Sequence, residues 1–488
     1  MNGFSKIFFS CLTFAIVSNF VQGQNVTSSP YSRYGIGELQ DAGYSQNFSM
    51  GGLGAAMQND TLTPHFINFN NPASLPFNRI TTFELGFASS TFQAFNKTEK
   101  QITNTVTLSH VAFALPIYKW WGTGFGLKPF SGIGYNITDT KDIDSIGTVK
   151  YTYKGAGGIN QIYWGNGFKI KRLSIGINAS YLTGRLENTS YIVMPSSNYY
   201  TSTRTYKTTA VRSFYFDYGA QYCHPIDSVW DKNVIDSVKI KHIADSIKYR
   251  FSSSEEWRKH ALDSLDKISY KFKKNIYRKL KEPIRIIVGG KISTATDLNT
   301  TTGLLAQSYI PDPYGGAYFK DTLENTSGVK GTIHLPIMYT AGITFKKGDR
   351  IVIGAEYAVQ QWADYKTGAV SGGLKNSSTY KLGFQLLPAP KNQLNAHYLK
   401  RIFYRAGIRY TDSYLRLQGT DIKEYAASIG FGFPVGRTKH QWVFQMFNVG
   451  FEVGQRGTTN NDLIKENFFK ILLGVTINDR WFIKPKFD

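Results

Sequence analysis

In GTIHLPIMYTAGITF, residues 331–345, apolar side chains fall at every second position. Ile333, Leu335, Ile337, Tyr339, Ala341, Ile343 and Phe345 share one face; His334, Pro336, Met338, Thr340, Gly342 and Thr344 share the other. A two-residue period belongs to extended backbone, because successive side chains leave opposite faces of a sheet. The run outlasts an ordinary strand of ~5–6 residues. It is long enough for a tilted membrane-crossing strand of ~9–11 residues. The pattern recurs in IFYRAGIRYT, where Ile402, Tyr404, Ala406, Ile408 and Tyr410 oppose Arg405, Gly407 and Arg409. It recurs again in EYAASIGFGFPV and NFFKILLGVTIN. Soluble sandwich strands alternate too, but the number, length and shared polarity of these runs favour a transmembrane barrel.

Fourteen candidate strands follow, near 80–95, 104–118, 121–138, 150–168, 171–184, 206–222, 283–295, 332–346, 349–363, 376–388, 401–414, 422–435, 438–455 and 463–477. An even count lets an antiparallel barrel close with both ends on the periplasmic side. Connections after even strands are mostly tight, as at KWWG, IKRL, KKGD and VGRTKH. Those after odd strands are longer and polar, around 185–205, 296–331 and 364–375, as expected of outward-facing loops.

Composition agrees. The 488 residues include 46 Gly, 31 Tyr and 34 Phe, with mean hydropathy −0.27, which suits strands and turns over a helical membrane protein. Residues 1–23 read as a secretory signal, with Lys6 before a short apolar core; past it no apolar run is long enough for a spanning helix. Cys223 alone remains in the mature chain, so neither an intrachain disulfide nor a cysteine metal cluster is expected. The net charge of +22 is scattered through turns, and an exported chain argues against a nucleic-acid partner; anionic lipid or an acidic protein explains it as well.

One connection breaks the pattern. Residues 225–283 carry apolar side chains at helical spacing: Ile240, Ile243, Ile247 and Phe251, then Trp257, Ala261, Leu265, Ile268, Phe272, Ile276 and Leu280, stopped by Pro283. This predicts a helical hairpin inserted in a periplasmic turn. Trp257 and the basic face of Lys271, Lys273, Lys274, Arg278 and Lys279 are its candidate partner-binding residues, suited to an acidic protein or to anionic headgroups.

Residues 24–79 precede the first strand and contain MGGLGAAM (50–57) and NPASL (71–75). These motifs resemble the FadL/TodX family of outer-membrane transporters of fatty acids and other hydrophobic compounds, whose N-terminal segment plugs a fourteen-stranded barrel. The SPYSRYGIGEL opening at 29–39 and the C-terminal INDRWFIKPKFD resemble outer-membrane proteins of Bacteroidetes. The resemblance implies a plug over 24–79 inside a barrel over 80–488. Pro72 and Pro76 rule out a central strand, and the prolines, glycines and asparagines suit a chain that must satisfy its backbone inside a barrel. Phe66, Phe69, Asn71, Pro72, Ala73, Leu75 and Phe77 are the candidate plug or ligand residues. His334, Glu356, Arg405 and Arg409 are expected to face the lumen.

The eight histidines make no short metal-ligand spacing, and neither a nucleophile elbow nor a phosphate loop occurs. No catalytic residue, metal or cofactor is expected, and the chain reads as a non-enzyme. The expected partners are outer-membrane lipid, a hydrophobic ligand and other envelope proteins. Passive transport of a hydrophobic or amphipathic molecule is the leading expectation. The alternative is a structural subunit of a secretion or assembly complex, docking through 225–283.

Overall fold

The structure, a computed structural model, describes residues 27–40, 43–60, 64–195, 200–226, 284–312, 317–348, 350–389, 396–435 and 444–479. The expected signal and helical hairpin, with Trp257, Lys271, Lys273, Lys274, Arg278 and Lys279, lie outside the described residues.

Fourteen antiparallel strands form a closed barrel. They are β1 (Thr81–Phe95), β2 (Lys100–Tyr118), β3 (Trp121–Gly132, resuming as Tyr135–Ile143), β4 (Gly147–Ile170), β5 (Leu173–Val193) and β6 (Ser202–Pro225). Then come β7 (Ile284–Ser293, resuming as Thr296–Pro311), β8 (Ala317–Leu335, resuming as Met338–Lys347), β9 (Ile351–Gln360) and β10 (Ser377–Leu386). Last are β11 (Phe403–Leu417), β12 (Thr420–Val435), β13 (Phe444–Gly457) and β14 (Lys465–Asp479). Each strand pairs with its neighbours in sequence, and β14 returns to β1, from Thr81 opposite Asp479 to Phe95 opposite Lys465. Closure gives the wall's polar backbone partners without water, which is what hydrocarbon demands.

Alternation then sorts the side chains. Phe125, Ile162, Trp164, Phe214, Tyr218, Ile343, Ile408, Val453 and Leu473 point outward and are exposed. Inward positions of the same strands hold glycine, polar or charged residues, such as Gly124, Glu356, Arg405 and Glu452. At the end where the chain enters and leaves the wall, Tyr118, Trp120, Trp121 and Phe168 stack with centroids 5.6–6.2 Å apart. Such rings suit the headgroup level of a bilayer.

Two expectations need correction. The run 331–345 is not one strand. It breaks after Leu335, and the break reverses its facing: Ile333 and Leu335 are buried in the lumen, whereas Tyr339, Ile343 and Phe345 are exposed outside. Pro336 at the break has no N–H to give to the ladder. His334 therefore faces outward, with Nδ1 2.6 Å from Asp297 Oδ1, and not into the lumen. The expected outer loops at 296–331 and 185–205 are also largely strand, 185–193 and 202–205 pairing within β5 and β6. Thr296–Pro311 and Ala317–Leu335 pair as an antiparallel hairpin continuing β7 and β8 past the belt.

The outer halves of β3 to β8 thus rise beyond the apolar belt as one sheet, ending at β3 on one side and β8 on the other. Lys100–His110 of β2 pairs with β1 alone among the described residues, so the wall is unzipped between β2 and β3 above Val111. An arginine at Leu473, mid-belt on the lipid face, should cost about 2–4 kcal/mol. Denaturant titration in bilayers checks this, and the same residue placed at exposed Leu323, high on the hairpin, should leave stability unchanged within error.

Candidate functional site: the occupied lumen

Residues 43–60 and 64–78 touch inward-facing positions of strands all around the wall. Ser45 lies against Gly474 of β14, Ser49 against Gly430 of β12, Met50 and Gly51 against Gly407 of β11, and Ala55 against Gly289 of β7. Leu75 lies against Gly122 of β3 and Pro72 against Gly176 of β5. Ser45 and Ser49 reach their glycines with their side chains, and the others are backbone-on-backbone approaches: a Cβ on Gly122 would sit 2.3 Å from the Leu75 carbonyl oxygen, and one on Gly407 2.1 Å from the Gly51 nitrogen. Only glycine permits that proximity.

The predicted residues of this segment fall together. Asn71 Oδ1 accepts from Ala73 N–H at 3.0 Å, capping the short 3₁₀ turn Pro72–Phe77. Its Nδ2 donates to the carbonyls of Ala55 (2.6 Å) and Gly290 (3.1 Å). Ala73 is fully buried and Leu75 nearly so. Phe66 packs edge-on to Phe403 at 6.1 Å and beneath the Arg405 guanidinium at 4.9 Å. Phe69 meets Tyr163 at 4.4 Å and Lys128 at 4.5 Å, and Phe77 meets Lys169 at 4.8 Å. Phe66 and Phe77 pack into the assembly, and Phe69 also lines the cavity above the segment.

Charged wall residues hold the segment. Glu356 Oε2 accepts from Gly54 N–H and Ala55 N–H at 2.7 Å each, while Lys381 donates to its other oxygen at 3.0 Å. Arg405 donates to Gln385 (2.9 Å) and Asn448 (3.0 Å), and Arg409 to Glu424 (3.0 Å) and Glu452 (3.1 Å). Glu356, Arg405 and Arg409 thus face inward. At the seam, Asn478 of β14 accepts from His65 N–H at 2.7 Å and donates to its carbonyl at 3.0 Å.

Sequence reasoning missed a second set. Arg456 donates to Glu38 and Glu424 at 2.7 Å each and lies 3.7 Å from Glu466, which accepts from Ser29 at 2.8 Å. Inward charges within strands were a readable signal for Arg456 and Glu424. Glu38 lies in an unpatterned segment and gave none. It sits on a two-residue strand, Glu38–Leu39, that pairs with Ser131 and Gly132 at the bend of β3. Burial alone would raise the Glu38 carboxyl, but Arg456 and Lys470 override it and hold it below the ordinary range. Above the segment lies a cavity of about 210 Å³ whose lining mixes charged Glu38, Lys381, Arg409 and Arg456 with apolar Phe69, Phe130, Trp362 and Leu415. Among the described residues, none group as metal ligands.

A family model described as BamG matches residues 4–247 and 239–488, together nearly the whole chain. The chain belongs to the BamG family. This BamG-family barrel shares its fold with solved transporters. It covers a Pseudomonas aeruginosa FadL homologue over 94% of this chain and 100% of that one, at 11% identity and TM-score 0.53. The Pseudomonas putida toluene transporter TodX matches over 91% and 100%, at 13% and 0.50. The Ralstonia pickettii toluene transporter TbuX matches over 90% and 100%, at 12% and 0.50. Among curated proteins nothing matches. The BamG-family chain is an outer-membrane β-barrel of FadL type.

Replacing Glu356 by Gln strips Lys381 of its buried carboxylate, a change that typically costs about 3–5 kcal/mol. Hydrogen exchange at residues 50–57 should rise sharply while exchange in β12–β14 stays slow. Because Glu38 has a lowered value, its contribution to stability is present above the unfolded carboxylate pKa and disappears as pH falls through the folded one. Residues 29–39 should therefore lose protection in acid, below about pH 4, as exchange measured across a pH series would read.

Proposed function

We propose that the chain is a non-conducting barrel acting as a structural subunit of an envelope secretion or assembly complex. The observation that carries this reading is the occupied lumen. Residues 43–60 and 64–78 meet inward glycines of β3, β5, β7, β11, β12 and β14 through backbone or short side chains, so removing them from the bore means breaking many contacts at once. A hydrocarbon crossing the barrel would also pass a chamber in which Lys381, Arg409 and Arg456 stand among apolar rings, and those charges add a desolvation cost. Membership of the BamG family supports a role apart from the solved solute channels. In this reading 24–79 is a permanent plug, and the 225–283 insertion is the periplasmic arm that docks other envelope proteins.

Transport of an apolar or amphipathic molecule is the second reading. Its support is the FadL-type fold and the unzipped wall between β2 and β3, where a molecule could pass sideways between lumen and surroundings. TodX and TbuX are toluene transporters.

Purified barrel in planar bilayers should show no steady conductance, and a chain lacking 27–78 should open wide channels. Replacing 227–283 by a Gly/Ser linker should strip co-purifying envelope proteins and leave the barrel intact. Hydrocarbon uptake restored by the wild-type chain, and equally by the linker variant, would decide for transport.

A further inference from the structure

The outer face of the sheet above the belt carries a cluster that neither the plug nor the wall uses. Facing is carried up the strands by unbroken register. On β6, Phe214, Phe216 and Tyr218 are exposed to lipid, so Arg204 and Tyr206, of the same parity, also look outward. On β4, Ile162 and Trp164 set the outward parity, which places Lys150 and Lys154 outside. On β5, Leu173 and Ile175 do the same for Tyr191. Cross-strand pairing then joins them: Tyr191 stands opposite Arg204, and Tyr309 of β7 opposite both Ser202 and Phe319.

These side chains make a tyrosine-rich floor with cations on it. Arg204 lies 5.9 Å from the Tyr191 ring, 5.8 Å from Tyr206 and 5.4 Å from Phe319. Lys154 lies 5.7 Å from Tyr191. Tyr309 packs edge-on to Tyr191 at 6.3 Å and against Phe319 at 6.1 Å. Among the described residues Arg204, Lys150 and Lys154 have no carboxylate partner, and Arg204 Nε is buried without a hydrogen-bond partner. The neighbouring Arg185 does have one, Glu187 at 4.0 Å. In the lumen, by contrast, the cations Arg409, Arg456 and Lys381 are all matched with acids. Glu187 also lies on this face, hydrogen-bonded to Tyr206, but it is one carboxylate among Arg185, Arg204, Lys150 and Lys154, and the surplus of cations draws an anion from outside.

Height selects the anion. Arg204 is ten residues up β6 from Phe214 at the top of the belt (214 − 204). At ~3.3 Å per residue and a tilt near 40°, that is roughly 25 Å above the hydrocarbon. This is too far for phosphates at the lipid anchor and suits the sugars mounted on it. Planar rings accept sugar faces, and guanidinium and ammonium groups accept phosphate or carboxylate. We propose that the outward face around Lys154, Tyr191, Arg204 and Tyr206 binds the anionic core oligosaccharide of the outer-leaflet glycolipid. The face is continuous, along the same strands, with the surface that meets the lipid tails, so one glycolipid molecule can lie against both.

The test uses the full-length barrel in phosphatidylcholine nanodiscs, titrated with glycolipid carrying a phosphorylated core oligosaccharide. Parallel arms use the same glycolipid after phosphatase treatment, and the lipid anchor without its core. Retained glycolipid is counted by native mass spectrometry. Wild type should bind the phosphorylated, full-core species at least roughly tenfold better than either arm, and R204Q with K154Q should remove that preference. If Arg204 variants fail to fold, the exposed pair K150Q and K154Q should weaken binding several-fold. Equal binding in all three arms, or a preference unchanged in the folded variants, overturns the proposal. So does loss of a co-purifying protein from these variants with glycolipid binding intact, since the face would then belong to a protein partner.

Discussion

Hydrocarbon offers a backbone no hydrogen-bond partner, and that constraint shapes this molecule from its wall inward. Where lipid surrounds the strands, each runs beside two neighbours and the last returns to the first. Above the belt water is available and the demand relaxes. There, among the described residues, β2 leaves an edge unpaired, and the hairpin of β8 above Ile333 ends the sheet with a free side. The unzipped region and the protruding sheet are thus two results of one change of solvent along the barrel axis.

The interior obeys the complementary rule. A chain lying in the bore cannot join the ladder, so its polar groups go to side chains on the wall: Glu356 for Gly54 and Ala55, Asn478 for His65, Asn71 for carbonyls on either side. Room for these contacts comes from inward glycines on β3, β5, β7, β11, β12 and β14. Close approach excludes water, and exclusion of water raises the stakes of each charge, so Arg409, Arg456 and Lys381 each stand beside carboxylates. A lumen built this way resembles a folded core more than a conduit. That is why the fold shared with solute transporters does not by itself decide what this barrel does.

Much of this was legible in the residues. Alternation located all fourteen strands near their true positions because lipid contact enforces a strict period of two. The inward facing of Glu356, Arg405 and Arg409 followed from the same count. His334 failed because the count was carried across Pro336, where the strand stops and restarts with its faces exchanged. The 296–331 hairpin failed because its outer part, Ala317–Thr332, is exposed on both faces, leaving no burial to impose a pattern. The Arg456 network was half visible: its wall members are charges within strands, but Glu38 reaches it only through a chain path that sequence does not encode locally. The recurrent inward glycines were a signal in plain sight, and their meaning depends on a neighbour distant in sequence.

The Asn478–His65 contact bears on how such a barrel comes to exist. Asn478 lies on the final strand, opposite Thr82 of the first, so the closing seam and the inner segment share one side chain. A segment gripped from every direction cannot be threaded into a finished cylinder. If such a segment stays in place, the strand that closes the sheet also fastens it, through the one side chain that touches both. The seam of the cylinder and the grip on its contents are thus one and the same contact.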